Sequence, residues 1–137
     1  MDKQSCICIA MKTLLKEQNI IAGIDMEFQF ICSLKKMDTI PFMLSSSNKM
    51  KPFMAFNKCI MTPFFRLEKV DEQTCCAELS LLEAIDMEGN LADPFDDFYA
   101  LRKTKVCINV NLSCFCVINP LPLEIVNRPI PVIEPKC

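Results

Sequence analysis

The chain has 137 residues, 51% of them hydrophobic and 23% charged, with a formal net charge of -2. That size and balance point to one packed domain and away from a disordered chain, and without any block of five or six like charges they exclude a reader of nucleic-acid phosphates. No stretch approaches the roughly 20 consecutive apolar residues that cross a bilayer, so no membrane-spanning segment is predicted.

Residues 5–18, SCICIAMKTLLKEQ, open with Ser5 as a helix cap and set Ile7, Met11, Leu14 and Leu15 at helical spacing, which predicts a short amphipathic helix with Gly23 as a stop signal. The apolar run at 6–11 is interrupted by Lys12 and Lys16, and no small-residue cleavage site follows. The expectation is synthesis in a cytosol without a signal peptide.

After the helix the period falls to two. In MEFQFICSL, residues 26–34, Phe28, Phe30, Cys32 and Leu34 point one way, and Glu27, Gln29 and Ser33 the other. IPFML at 40–44, PFMAF at 52–56 and FFRLEKV at 64–70 predict further short strands, with Pro41, Pro52 and Pro63 near their starts, where a missing ladder donor is tolerated. TCCAELSLL, residues 74–82, turns Cys75, Ala77, Leu79 and Leu81 inward and Cys76, Glu78 and Ser80 outward. The segment 88–97, EGNLADPFDD, predicts an exposed loop.

The longest alternation, VCINVNLSCFCVI at 106–118, puts Val106, Ile108, Val110, Leu112, Cys114, Cys116 and Ile118 on one face and Cys107, Asn109, Asn111 and Ser113 on the other. Beyond it, five of the nine prolines favour an extended arm. The predicted fold is mainly β: a compact antiparallel β-sandwich or barrel with one short N-terminal amphipathic helix and an extended Pro-rich C-terminal arm. One domain at 1–118 is followed by the arm at 119–137.

Ten cysteines accompany no histidine, no C-x-x-C and only two glycines. A catalytic thiol lacks its usual base, a phosphate loop lacks its glycines, and the C-x-C pairs Cys6/Cys8 and Cys114/Cys116 are weak metal signals. The acidic pairs Asp71/Glu72 and Asp96/Asp97 are read as solvated turns before they are read as hydrolytic pairs. No enzyme, cofactor or metal centre is expected. The alternation leaves Cys32, Cys75, Cys114 and Cys116 among core residues, as small buried hydrophobes. Cys76 and Cys107 fall on solvent faces, Cys59 in a loop, and Cys6, Cys8 and Cys137 near the termini. These six are the candidates for disulfides between copies, since neighbouring cysteines on one extended strand do not meet the geometry of a bridge to each other.

The string NLSCFCVI at 111–118, preceded by VCINV, resembles the C-terminal signature of the cysteine-rich spore crust and exosporium proteins of the CotY, CotZ and ExsY type. IPFML with KPFMAF at 40–56 and TPFFRLEKVDEQTCCAELSLLEA at 62–84 agree with it in order. The resemblance implies a self-assembling structural subunit of the spore outer coat, made in the mother cell and oxidised when that cell lyses. Its partners would be its own copies and other coat or exosporium proteins. The chain departs from the family in lacking a Cys- and His-rich N-terminal tail and in continuing past the signature to Cys137. Two alternatives stand beside this reading: a small thiol-rich metal-binding protein, and an adaptor whose arm anchors another component to the spore surface.

Overall fold

The computed structural model describes residues 6–23, 37–46, 51–57, 59–126 and 128. The first element is helix α1, Cys6–Gly23, followed by strands β1 Phe42–Ser45, β2 Ala55–Asn57, β3 Ile60–Thr62, β4 Phe65–Asp71, β5 Cys76–Ile85, β6 Ala100–Asn111 and β7 Val117–Pro120. Short 3-10 turns occupy Leu112–Cys114 and Leu123–Ile125. The expected strand at 26–34, with Cys32, lies outside the described residues, as do Ser5 and residues 129–137.

The protein is mainly β. An antiparallel five-stranded sheet has the order β6-β5-β4-β1-β7, and β2 with β3 forms a two-stranded antiparallel sheet. The alternation that predicted β5 is what builds the core. Ala77, Leu79 and Leu81 stand on one face with Phe65 and Leu67 of β4 and Phe42 and Leu44 of β1, and Ile7, Cys8, Met11 and Leu14 of α1 close over them. The helix runs five residues beyond the predicted end at Gln18, to Gly23.

One polar residue interrupts that oily layer. Gln18, 2% exposed, continues the helix stripe of Met11 and Leu14. Its Nε2 donates to the Leu67 carbonyl at 2.8 Å, and its Oε1 accepts from the Ile40 N–H at 3.1 Å. The need for this bond comes from β4: Leu67 pairs with Leu79 and Lys69 with Glu78, so Glu68 is an extra residue, a β-bulge. The bulge advances the two-residue period by one, which brings Val70 to the core face opposite Ala77, and Gln18 satisfies a carbonyl beside it.

The other face of the sheet is divided. Toward the start of β6, Leu82, Ala84 and Leu101 form a second apolar cluster with Phe64, covered by Leu121, Ile125 and Val126. The C-terminal segment therefore folds onto its own sheet through this stretch. Asn119 and Pro120, expected in an arm, pair with Met43 and Phe42 as the end of β7. Leu121 N donates to Pro41 O at 2.8 Å, Val126 bridges Leu101, and the Arg128 guanidinium lies 4.1 Å from the Tyr99 ring centroid. Leu121, Ile125 and Val126 explain the docking: fully exposed, they would forgo roughly 25 cal/mol for each Å² they bury here.

Candidate functional site

The chain carries two sets of chemically reactive groups, its thiols and one partly buried network of charges. In the middle of the second face Ser80, 3% exposed, donates to Glu68 Oε2 at 2.7 Å, and Arg66 Nη1 meets the same oxygen at 2.6 Å. Arg66 Nε also donates to Thr39 Oγ1 at 2.9 Å, and Lys103 Nζ reaches Asp38 Oδ2 at 2.8 Å. Burial alone would raise the Asp38 carboxyl, but hydrogen bonds from Lys103 and Thr39 and the Lys103 and Arg66 charges outweigh it and hold Asp38 below its ordinary value. Glu68 is depressed in the same way: partial burial opposes, while Arg66 and Ser80 prevail. Every charge in the cluster has a partner, and the arrangement clamps the segment before β1 to β4, β5 and β6.

The thiols divide differently from the sequence-based expectation. Cys114 and Cys116, expected in the core, are exposed. The alternation fails there because the chain leaves β6 at Asn111, whose side-chain oxygen accepts from Ser113 N at 3.0 Å and caps a 3-10 turn. The turn resets the phase. Leu112 is fully buried, and Phe115 turns inward onto Phe53 with ring centroids 5.1 Å apart. Phe53 in turn stacks on Phe65 at 5.7 Å. Phe115 is thus the anchor of the string SCFC, and the two cysteines flank it on the outside, on backbone next to an open cleft of about 590 Å³ lined by Phe53, Met54, Cys114 and Phe115.

Cys8 is the second correction. Grouped with the terminal residues as a crosslinking candidate, it is 0% exposed and belongs to the core cluster on α1, one turn from Met11. Burial first, and then a side-chain hydrogen bond with Cys75, push its thiol up to about 11. Cys75, expected to be buried, is half-buried and packs against the same cluster.

The remaining described candidates differ in exposure. Cys6 and Cys59 are exposed, Cys59 at the β2–β3 turn with φ 68°. Cys107 is exposed on β6, paired with Ser80 across the sheet. Partial burial and the Glu78 and Glu68 carboxylates raise its thiol. Cys76 is half-buried, its Sγ 3.8 Å from Thr74 O. Cys137 lies outside the described residues. Near Cys59, Met61 and Leu91 line one cleft and are 47% and 68% exposed, and Phe56, the β-partner of Met61, is 76% exposed. The acidic pair Asp71/Glu72 is the expected turn: the Asp71 carboxylate accepts from Gln73 N and Thr74 N, which lowers it. Among the described residues no three His, Cys, Asp or Glu side chains converge as metal ligands would.

Comparison with known proteins places these features in a family. The model of the family Spore coat protein Z matches residues 1–122. Spore coat protein Z of Bacillus subtilis (strain 168) is 39% identical over 104 residues, covering 66% of this chain and 68% of the relative. No solved structure matches.

Proposed function

This chain belongs to the spore coat protein Z family, and from that premise we propose that it is a self-assembling subunit of the spore's outermost protein layer, crust or exosporium, joined to its copies by disulfides. A structural role in the spore coat follows from the family itself. The finer reading is carried by one observation: Cys6, Cys59, Cys107, Cys114 and Cys116 are all exposed, on α1, the β2–β3 turn, β6 and, for Cys114 and Cys116, either side of Phe115 where the 3-10 turn ends. Such thiols find partners on other copies. Cys76 is available less freely, Cys8 leaves the set, and we keep Cys137 as a proposed crosslinking residue.

Association before oxidation has its own support. The exposed apolar side chains Phe56, Met61 and Leu91 next to Cys59 form a surface that a soluble monomer ordinarily avoids, and a net charge of -2 gives little repulsion between copies. Each bridge takes two electrons and two protons from a thiol pair, with dioxygen reaching the spore surface after mother-cell lysis as the acceptor. Other coat proteins carrying free thiols would be joined in the same way.

The test is electrophoresis in denaturing detergent with and without reductant, paired with electron microscopy of the purified protein. The expected result is sheets or other large particles that enter the gel only after reduction. A monomer that stays small under oxidising conditions and binds zinc stoichiometrically would replace this reading with that of a thiol-rich metal binder.

A further inference from the structure

Cys8 and Cys75 are 67 residues apart in the sequence and meet where α1 docks on the β4–β5 turn. We propose that they are a site for a disulfide within one subunit, a covalent staple of the helix to the turn. It goes beyond the crosslinked-shell reading and does not depend on it, since this bond joins no two copies.

The geometry of the junction carries the inference. The two thiols share a hydrogen bond inside the same apolar cluster. Cys75 has φ 57°, the left-handed region where glycine or asparagine is the ordinary choice, so a side chain is present there despite the backbone cost. Its backbone is held on both sides: Cys75 N donates to Asp71 O at 2.9 Å, and its carbonyl accepts from Leu112 N at 2.8 Å. One helical turn beyond Cys8, Lys12 Nζ meets Glu72 Oε1 of the same turn at 3.0 Å. The helix is therefore already seated on the turn while both cysteines are reduced.

The order of events follows from exposure. Half-buried Cys75 is the entry point, and fully buried Cys8 the resolving thiol. With a low-molecular-weight disulfide RSSR as oxidant, the Cys75 thiolate attacks one sulfur, the S–S bond breaks, and RS⁻ leaves with its electron pair. Cys8 then gives its proton to solvent and attacks the Cys75 sulfur of the mixed disulfide, and the second RS⁻ departs. Two thiols become one cystine and RSSR becomes two RSH. Because the second step needs the Cys8 thiolate and burial raises that thiol, ring closure is expected to speed up as pH rises.

The experiment uses the full chain, unlabelled and ¹⁵N-labelled in equal amounts, oxidised together with glutathione disulfide and digested without reduction. Mass spectrometry is expected to find the Cys8–Cys75 peptide pair only as light–light and heavy–heavy species. Oxidation should also raise Tm by about 5 °C or more, as closing a long loop restricts the unfolded chain, and that rise should vanish in Cys75→Ala. Mixed-isotope Cys8–Cys75 pairs would overturn the proposal. So would a Cys8 that stays alkylatable after unfolding when the exposed thiols are fully oxidised. If the staple forms in a protein that never crosslinks between copies, the shell reading fails alone; if crosslinks form and the staple does not, the staple fails alone.

Discussion

The two faces of the five-stranded sheet are built from the same strands and serve different ends. The face under α1 is continuous hydrocarbon, interrupted by Gln18, which repairs a bulge, and by Cys8, which is sealed from solvent. The opposite face grades from the apolar cluster at Leu82 and Leu101, through the ion network of Arg66, Glu68 and Lys103, to Cys107 and Cys76 at the open end. A thiol's exposure in this protein thus varies with the face and the position along it: Cys8 is buried, Cys75 and Cys76 are half-buried, and Cys107 is exposed.

Four substitutions break or sharpen that contrast, each read by urea unfolding under reducing conditions. Phe65→Ala, under the helix and fully buried, is expected to cost about 4 kcal/mol through the cavity it leaves. Gln18→Ala should cost about 2–3 kcal/mol, because it strands the Leu67 carbonyl and the Ile40 N–H in the interior. Ser80→Ala, on the opposite face, removes one donor to a carboxylate that Arg66 still holds, for a loss of about 1 kcal/mol. Cys114→Ser should stay within about 0.5 kcal/mol, as expected for an exposed side chain, and should lower the mass of the oxidised assembly. A loss at Cys114 as large as that at Gln18 would contradict the phase reset at Leu112–Cys114.

Acid separates the faces further. Asp38 and Glu68 have folded-state pKa values below their ordinary ones, so their stabilisation is complete above the unfolded value and lost as pH falls through the folded value. Wild-type protein should therefore weaken below about pH 4, where ordinary carboxylates protonate. Asp38→Asn combined with Glu68→Gln should flatten that slope, and Phe65→Ala should leave it in place. Unfolding midpoints at a series of pH values give both comparisons.

Much of this was legible in the residues, and the failures have physical causes. The helix stripe Ile7, Met11, Leu14 and the alternation of β5 are local patterns that one buried face imposes directly, and the resemblance carried by LSCFC led to the right family. The buried placement of Cys114 and Cys116 failed because a strand period carries no warning that the chain is about to turn; the Asn111 cap was the available signal. The network joining Asp38, Arg66, Glu68, Ser80 and Lys103 was hidden because its members are brought together by strand pairing. Gln18 could have been found: a glutamine seven residues from Met11 lies on the buried stripe and needs partners there.

The pairing of β1 has a consequence for how the subunit is made. β1 meets β4 at one registered pair, Phe42 with Phe65, and meets β7 at four, from Phe42 with Pro120 to Ser45 with Val117. A ribosome delivers β1 long before β7, so until residues 117–120 emerge this apolar strand lacks its principal neighbour. Chains stopped before residue 117 should unfold at lower urea than the full sequence, since β1 then keeps only its one registered pair with β4.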